Sequence, residues 1–261
     1  MFDPTKIRCL ADISIPLRFR GQQPNAYGVS PARSEPVRAG DLVGDTRLGG
    51  SVNFERYELI PHCNGTHTEC VGHITYERIS LRDCLRDIFF RARLVSIEPV
   101  FTRQTVERLT PLHSPGDLVI TRDAIASTIG GDIHHTAGLI VRTLPNETRK
   151  TFQSYDAENL PPYFTLDAME AIVAAGISHL IVDLPSIDRL FDGGVLQNHR
   201  LFWRVPEGSF AADSRTRRNT TITELVFVPD EVPDGEYLVN LQIPPFESDA
   251  APSRPLLCAT D

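Results

Sequence analysis

No apolar run in this chain is long enough to cross a bilayer, which takes about 20 residues. No block of basic residues occurs either. With a net charge of −8 and a pI near 5.5, nucleic acid and anionic membrane surfaces are poor partners. The five cysteines are few for the length, odd in number and without a repeated pair spacing, which excludes a disulfide framework and points to a reducing compartment. The start, Met1-Phe2-Asp3-Pro4-Thr5-Lys6, lacks the basic-then-apolar run of a signal peptide. Internal repeats and low-complexity segments are also missing. A soluble cytoplasmic protein is the expectation. The 261 residues, 41% of them hydrophobic, suffice for a sizeable core and predict one domain over residues 1–261 rather than two.

Against these absences stands one dense stretch, Pro61-His62-Cys63-Asn64-Gly65-Thr66-His67-Thr68-Glu69-Cys70-Val71-Gly72-His73. It packs three His, two Cys and one Glu, all potential metal ligands, into thirteen residues. His67 and Glu69 are two apart, so an extended backbone puts both on one face. Glu69 and His73 are four apart, so a helical turn would also align them. Gly65 permits a tight turn or a close backbone approach ahead of the set. The competing reading is a polar loop whose histidines only form hydrogen bonds; ligand density and spacing favour a metal site.

Elsewhere the pattern is α/β. Residues 8–17 read as an early strand. The Pro-, Gly- and Arg-rich segment from Arg20 to Arg47 reads as a long connection of the kind that covers binding sites, with Phe19 and Tyr27 as candidate stacking aromatics. A β-type run from Ser51 to Ile60 leads into the motif, and strands are predicted at 91–97, 116–120 and 138–142. Thr121 is placed to cap a helix over 124–129 that Gly130-Gly131 ends. His134 and His135 are adjacent, would face opposite sides of a strand and are read as loop residues. Thr165 caps a helix from Leu166 to Ala175, stopped by Gly176 and followed by a buried strand at 178–182 that closes in Asp183-Leu184-Pro185-Ser186. A polar loop at a strand's carboxyl end is where α/β sheets place their sites. Two further strands, 221–228 and 237–243, are predicted either side of a Pro233-Asp234-Gly235 turn. The arginine-rich stretch 214–218 reads as a solvated loop.

These pieces together resemble the cyclase family of bacterial kynurenine formamidases and isatin hydrolases, whose signature is His-x-Gly-Thr-His-x-Asp-x-Pro-x-His. Gly65-Thr66-His67 matches its Gly-Thr-His, Glu69 stands at its Asp, and His73 matches its last His. The similarity extends to Asp12-Ile13-Ser14, to 139–143 and to Ile181-Val182-Asp183-Leu184-Pro185-Ser186-Ile187-Asp188. It reaches His199, Glu224 at the position of a late glutamate, and the tail from Asp234 to Pro255. The resemblance implies a swivelling β/β/α fold, that is, an α/β domain with a central mixed sheet and flanking helices. It implies a homo-oligomer, dimer or tetramer. It also implies one or two divalent cations, Zn2+ or Mn2+, held by His67, Glu69, His199 and Glu224, with His73 moving protons.

The chain departs from the signature in three ways. The family's first His falls in register on Cys63, with His62 one residue further out. Either could ligate zinc, but strand neighbours face opposite ways, so only one of them is expected to. Glu69 in place of Asp lengthens the carboxylate by a methylene, which counts against a bridged two-metal arrangement. A long segment separates His199 from Glu224; together with 20–47 it argues for a substrate other than N-formylkynurenine.

The expected chemistry is metal-dependent hydrolysis of a C–N or C–O bond in a small carbonyl substrate, a formamide, lactam or lactone. A divalent ion lowers the pKa of a bound water from 15.7 towards about 7 and so supplies hydroxide to attack the carbonyl carbon. His73 suits the proton transfer, because an imidazole titrates near neutrality; as a fourth ligand it would have another role. Glu224 lies in an apolar run, where a carboxylate needs a cation partner. The rival classes are a cyclase or dehydratase using the same Lewis acid, and a metal-binding protein without catalysis.

Overall fold

The computed structural model describes residues 7–129 and 136–260. His134 and His135 lie outside the described residues. Nine strands form the principal sheet: β1 (Ile7–Asp12), β2 (His67–Glu69), β3 (Phe89–Ile97), β4 (Gly138–Thr143), β5 (His179–Val182), β6 (Thr221–Glu224), β7 (Gly235–Asn240), β8 (Ala250–Pro252) and β9 (Leu256–Thr260). Their order is β1-β9-β7-β3-β4-β5-β6-β2-β8. The centre, β3 through β6, is parallel, and every other pairing is antiparallel. The α/β class and mixed sheet expected from the sequence are the ones observed.

β4 and β5 are buried on both faces, which is why 139–141 and 180–182 read as continuous apolar runs. Alternation splits them between two cores. Leu139, Val141, Leu180, Val182 and Ile222 face one core, where they pack with Ile125, Met169, Ile172, Phe202 and Trp203. After two single-turn helices, α1 (Pro61–Asn64) and α2 (Leu81–Cys84), come the three that supply those partners, α3 (Arg122–Ile129), α4 (Leu166–Ala174) and α5 (Gln197–Trp203). Ile140 and Ile181 face the other core with Leu94, Val239, Leu257 and Leu81. Each such fully buried side chain contributes about 1.5–3 kcal/mol. α4 forms where the apolar spacing places it. Thr165 Oγ1 accepts from Ala168 N at 3.0 Å to cap its start, and Gly176 follows its end at φ 80°. Thr121 plays the same capping part for α3, accepting from Ala124 N at 3.3 Å.

Three expectations change. The run 51–60 keeps only Glu55–Glu58 as strand, paired at the surface with Arg33–Pro36 inside the long 20–47 connection. The strand predicted over 221–228 stops at Glu224, because Leu225 takes a left-handed backbone with φ 53°. The strands on either side of the 233–235 turn do not neighbour each other: β3, β4 and β5 lie between them. Among the described residues no helix is long and apolar enough to cross a membrane.

Candidate metal centre

The centre is built where β2 enters the sheet between β6 and β8. In that register His67 lies directly opposite Glu224 on one side and Pro252 on the other, and Glu69 lies opposite Ala250. The backbone of this strand is anchored by its small polar side chains. Thr66 Oγ1 accepts from Ile15 N at 2.8 Å and donates to Leu225 O, and Thr68 Oγ1 lies 2.8 Å from both Thr223 Oγ1 and Ser253 Oγ. Alternation then turns His67 and Glu69 to the same face, as their spacing predicts.

His67, Glu69 and Glu224 present one ligand atom each within 4.8 Å of one another, all three buried. His67 Nδ1 donates to Gly65 O at 3.0 Å, so in a neutral ring the lone pair falls on Nε2. That Nε2 points towards Glu224 Oε2 at 3.4 Å and is buried without a hydrogen-bond partner. A buried acceptor beside a carboxylate is unfavourable unless a cation lies between them. Glu224 is fixed by Ile187 N, which donates to its Oε1 at 3.0 Å.

His199 joins from α5. Its Nδ1 donates to Asp188 Oδ2 at 2.6 Å, and its Nε2 lies 2.9 Å from Glu69 Oε1 and 3.7 Å from Glu224 Oε1. Asp188 also accepts from the backbone nitrogens of Asn198 and His199, so one carboxylate holds both the first turn of α5 and the ring. A histidine whose far nitrogen is held by a carboxylate is the usual preparation of a metal ligand. Burial opposes charge on His199, but Glu69 and Asp188 outweigh it and raise its pKa well above the ordinary value. Burial likewise opposes ionisation of Glu69, and His73, His199 and His62 around it hold its carboxyl well below the usual range. Glu69, Glu224 and Asp188 bring three buried carboxyl groups to one place. Of the two buried imidazoles only His199 is hydrogen-bonded to these carboxylates, since His67 spends its Nδ1–H on a backbone carbonyl. A divalent cation fits this donor set in charge and in ligand type.

His73 follows Glu69 on a 3-10 turn, Val71–Ile74, with Nδ1 at 3.9 Å from Glu69 Oε2. Gly72 is required there: a Cβ would meet the carbonyl oxygen of Ile79 at 2.1 Å, so any side chain would push aside the turn that presents His73.

His62 and Cys63 lie on α1 (Pro61–Asn64), a single helical turn, so the opposed-faces argument made for a strand does not apply. His62 turns its ring inwards, with Nε2 3.4 Å from Glu69 Oε2 and 3.2 Å from Asp249 Oδ2. Its pKa rises to about 10: burial opposes this, and Asp249 and Glu69 more than compensate. Cys63, like His199, belongs to neither of the two three-residue ligand clusters found among the described residues, although the signature register falls on it. Burial, with Glu224 nearby, pushes its thiol up to about 11, away from the thiolate a metal would need.

Two carboxylates escaped the sequence reading. Asp188 sits in a recognised stretch but was given no part; its position after β5, eleven residues before His199, was the available signal. Asp249 stands alone in a proline-rich tail, and only the register of β8 against β2 brings it to His62 and His73. Of the two aromatics singled out, Tyr27 lies within electrostatic reach of Glu224, and its ring meets Phe191 edge-on at 5.6 Å. Tyr27 and Phe191 both hold left-handed backbones, φ 63° and 62°, the kind of strain that gathers at functional sites. Phe19 packs instead on Tyr57 at 4.8 Å, lining a cavity of about 720 Å³ beside Pro61.

Residues 11–189 match the model of the family described as "Putative cyclase". The chain belongs to this family. The match takes in the 62–73 motif and Asp188, while His199, Glu224 and Asp249 lie beyond it and are brought to the motif by the sheet. Cyclase-family folds recur among solved structures. A "predicted metal-dependent hydrolase" from Bacillus stearothermophilus superposes with a TM-score of 0.60 at 18% identity, over 97% of this chain and 98% of that one. Isatin hydrolase A from Labrenzia aggregata gives 0.65 at 12% identity, over 98% and 95%. An isatin hydrolase bound to the product analogue thioisatinate gives 0.64 at 14%, over 98% and 94%. No curated protein matches the chain by sequence.

Proposed function

We propose that this cyclase-family chain is a metal-dependent hydrolase that opens a C–N or C–O bond of a small carbonyl compound, a formamide, lactam or lactone. The observation that carries the reading is His67 Nε2, buried, without a hydrogen-bond partner and aimed at Glu224 between two buried carboxylates. His67, Glu69 and Glu224 would hold the divalent cation, Zn2+ or Mn2+, with His199 completing the set under the control of Asp188. When bound, the cation supplies Lewis acidity, acidifying water and polarising a carbonyl oxygen.

The chain's own groups do the rest. His73 stands at the exposed side of Glu69, 28% accessible at its side chain, where a substrate can reach it. In its neutral form it takes a proton from the attacking water and returns it to the leaving nitrogen or oxygen. Tyr27 and Phe191 offer two ring surfaces beside the centre for a planar substrate. The protein is further read as cytoplasmic and homo-oligomeric, in keeping with its composition and family resemblance.

The test is a panel of aryl formamides, isatins and lactones offered to metal-loaded protein, with products weighed by mass spectrometry. Hydrolysis adds the mass of water. Loss of water would replace the hydrolase with a cyclising dehydratase, and no turnover of any member would leave a metal-binding protein.

A further inference from the structure

Beside the centre lies a second cluster that the proposed hydrolysis does not use as a ligand set. Asp249 Oδ2 is 3.2 Å from His62 Nε2 and 3.3 Å from His73 Nδ1, and the three ligand atoms lie within 4.8 Å of one another. Glu69 Oε2 is a fourth oxygen, 3.4 Å from His62 Nε2. The two imidazoles are stacked, centroids 4.4 Å apart and 28° from parallel, so both offer a nitrogen to the same carboxylate. We propose that His62, His73 and Asp249 form a second, weaker divalent-cation site whose filling turns the hydrolase off by taking His73 as a ligand. This rests on the proposed function, in which His73 moves the proton.

Three observations support the site. Ligand atoms placed tetrahedrally around zinc, with bonds of about 2.0–2.1 Å, stand roughly 3.3 Å from one another, close to the separations found here. His62 Nε2 comes within 3.2 Å of Asp249 yet is buried without a hydrogen-bond partner. His73 Nδ1 reaches the same Asp249 oxygen in a hydrogen bond of 3.3 Å, so both rings converge on one carboxylate oxygen. Two imidazoles and a carboxylate, with water or a shared carboxylate completing the set, suit Zn2+ above Mg2+ or Ca2+.

The site should be weaker than the inner one. Its side chains are 26–37% exposed, against 0–4% for His67, Glu69 and Glu224, so water competes for its ligands. It also has one carboxylate of its own where the inner site has two. The sign of the effect follows from the ring. With Nδ1 of His73 on the cation, the remaining ring proton sits on Nε2, and neither nitrogen can accept another. Excess cation therefore removes the proton carrier while leaving the inner ligands in place. Asp249 has no counterpart in the signature motif, and its side chain is free to act because its backbone carbonyl, bonded to Cys70 N at 3.0 Å, already secures the strand.

The experiment is equilibrium dialysis of the full chain, stripped by chelation, against buffered Zn2+ over a range of free concentration, with bound zinc measured by elemental analysis. The hydrolysis rate on the best substrate of the panel is followed in parallel. The wild type should fill in two steps to two ions per chain, its rate rising with the first and falling with the second. Asp249→Asn should keep the first step, stop at one ion and escape the fall in rate. His62→Gln, which removes a different ligand of the same cation, should also stop at one ion. A wild-type plateau at one ion, two ions retained in both variants, or a rate unmoved across the second step would overturn the second site alone. A chain that binds no zinc would overturn the proposed function and this inference with it.

Discussion

Glu69 Oε1 meets His199 Nε2 at 2.9 Å across 130 positions of sequence. The contact ties strand β2 to helix α5, and it works because Asp188 holds the opposite nitrogen of the same ring at 2.6 Å. His199 is thereby held between two carboxylates, one at the centre and one behind it. The ring cannot rotate without breaking a charge-assisted hydrogen bond on one side or the other.

Asp188→Asn should accordingly weaken the inner cation about 10–100-fold, the usual loss when the group behind a ligating histidine is changed. Competition against a chelator of known affinity at fixed pH measures it. Affinity equal to that of the wild type would show that Asp188 serves only the first turn of α5.

His73→Asn should keep the inner cation and lower the catalytic rate by roughly 10²–10⁴, the range of a lost proton-transfer group. Metal content and turnover are read on the same preparation. Loss of the inner cation in step with activity would make His73 a ligand of that cation and not the proton carrier.

His179 gives the fold an acid-sensitive point far from the centre's chemistry. It is buried, stacked on Phe90 at 4.0 Å, with Nδ1 2.9 Å from Thr221 Oγ1, and burial pulls its pKa down from 6.5 to about 4. The folded form therefore resists the proton that the unfolded chain accepts. Stability from this residue is fully present above pH 6.5 and is lost as pH falls through about 4, by an amount on the order of 3 kcal/mol. Denaturant unfolding of chelated protein at pH 7.5 and pH 4.5 should show a smaller loss in His179→Gln than in the wild type. Equal losses in the two proteins would place the acid sensitivity elsewhere.

The substrate should be cyclic and not N-formylkynurenine. Glu69 projects its carboxylate further than the family's aspartate, and positioning changes near 1 Å alter rates about 10²-fold. Tyr27, carried by the long 20–47 segment, adds a ring packed edge-on against Phe191. Steady-state kinetics on N-formylkynurenine beside isatins and lactones checks this. Efficiency above about 10⁵ M⁻¹s⁻¹ on N-formylkynurenine, with the cyclic compounds untouched, would contradict it.

Much of this was legible in the sequence, for physical reasons. β4 and β5 announce themselves because burial on both faces demands unbroken apolar runs, and α4 does so through its cap, its spacing and Gly176. The 67–73 cluster is visible because a strand and a turn bring near neighbours to one face. Asp249 was not, because its partnership with His62 and His73 exists only in the register of β8 on β2, which no local spacing encodes. His62 and Cys63 are not opposed across a strand, because Pro61 starts a helical turn that no apolar spacing announces. In the fold the two oxygens of Glu69 face different histidines, Oε1 towards His199 and Oε2 towards His62.

The central claim is that His67, Glu69 and Glu224 hold a divalent cation, and elemental analysis of purified wild type beside His67→Ala tests it most directly. The account predicts a divalent ion at one or more per chain in the wild type and loss of most of the inner ion in the variant, with the fold retained by circular dichroism. A wild type free of divalent metal after growth in metal-replete medium, or a folded His67→Ala variant with full occupancy, would contradict it.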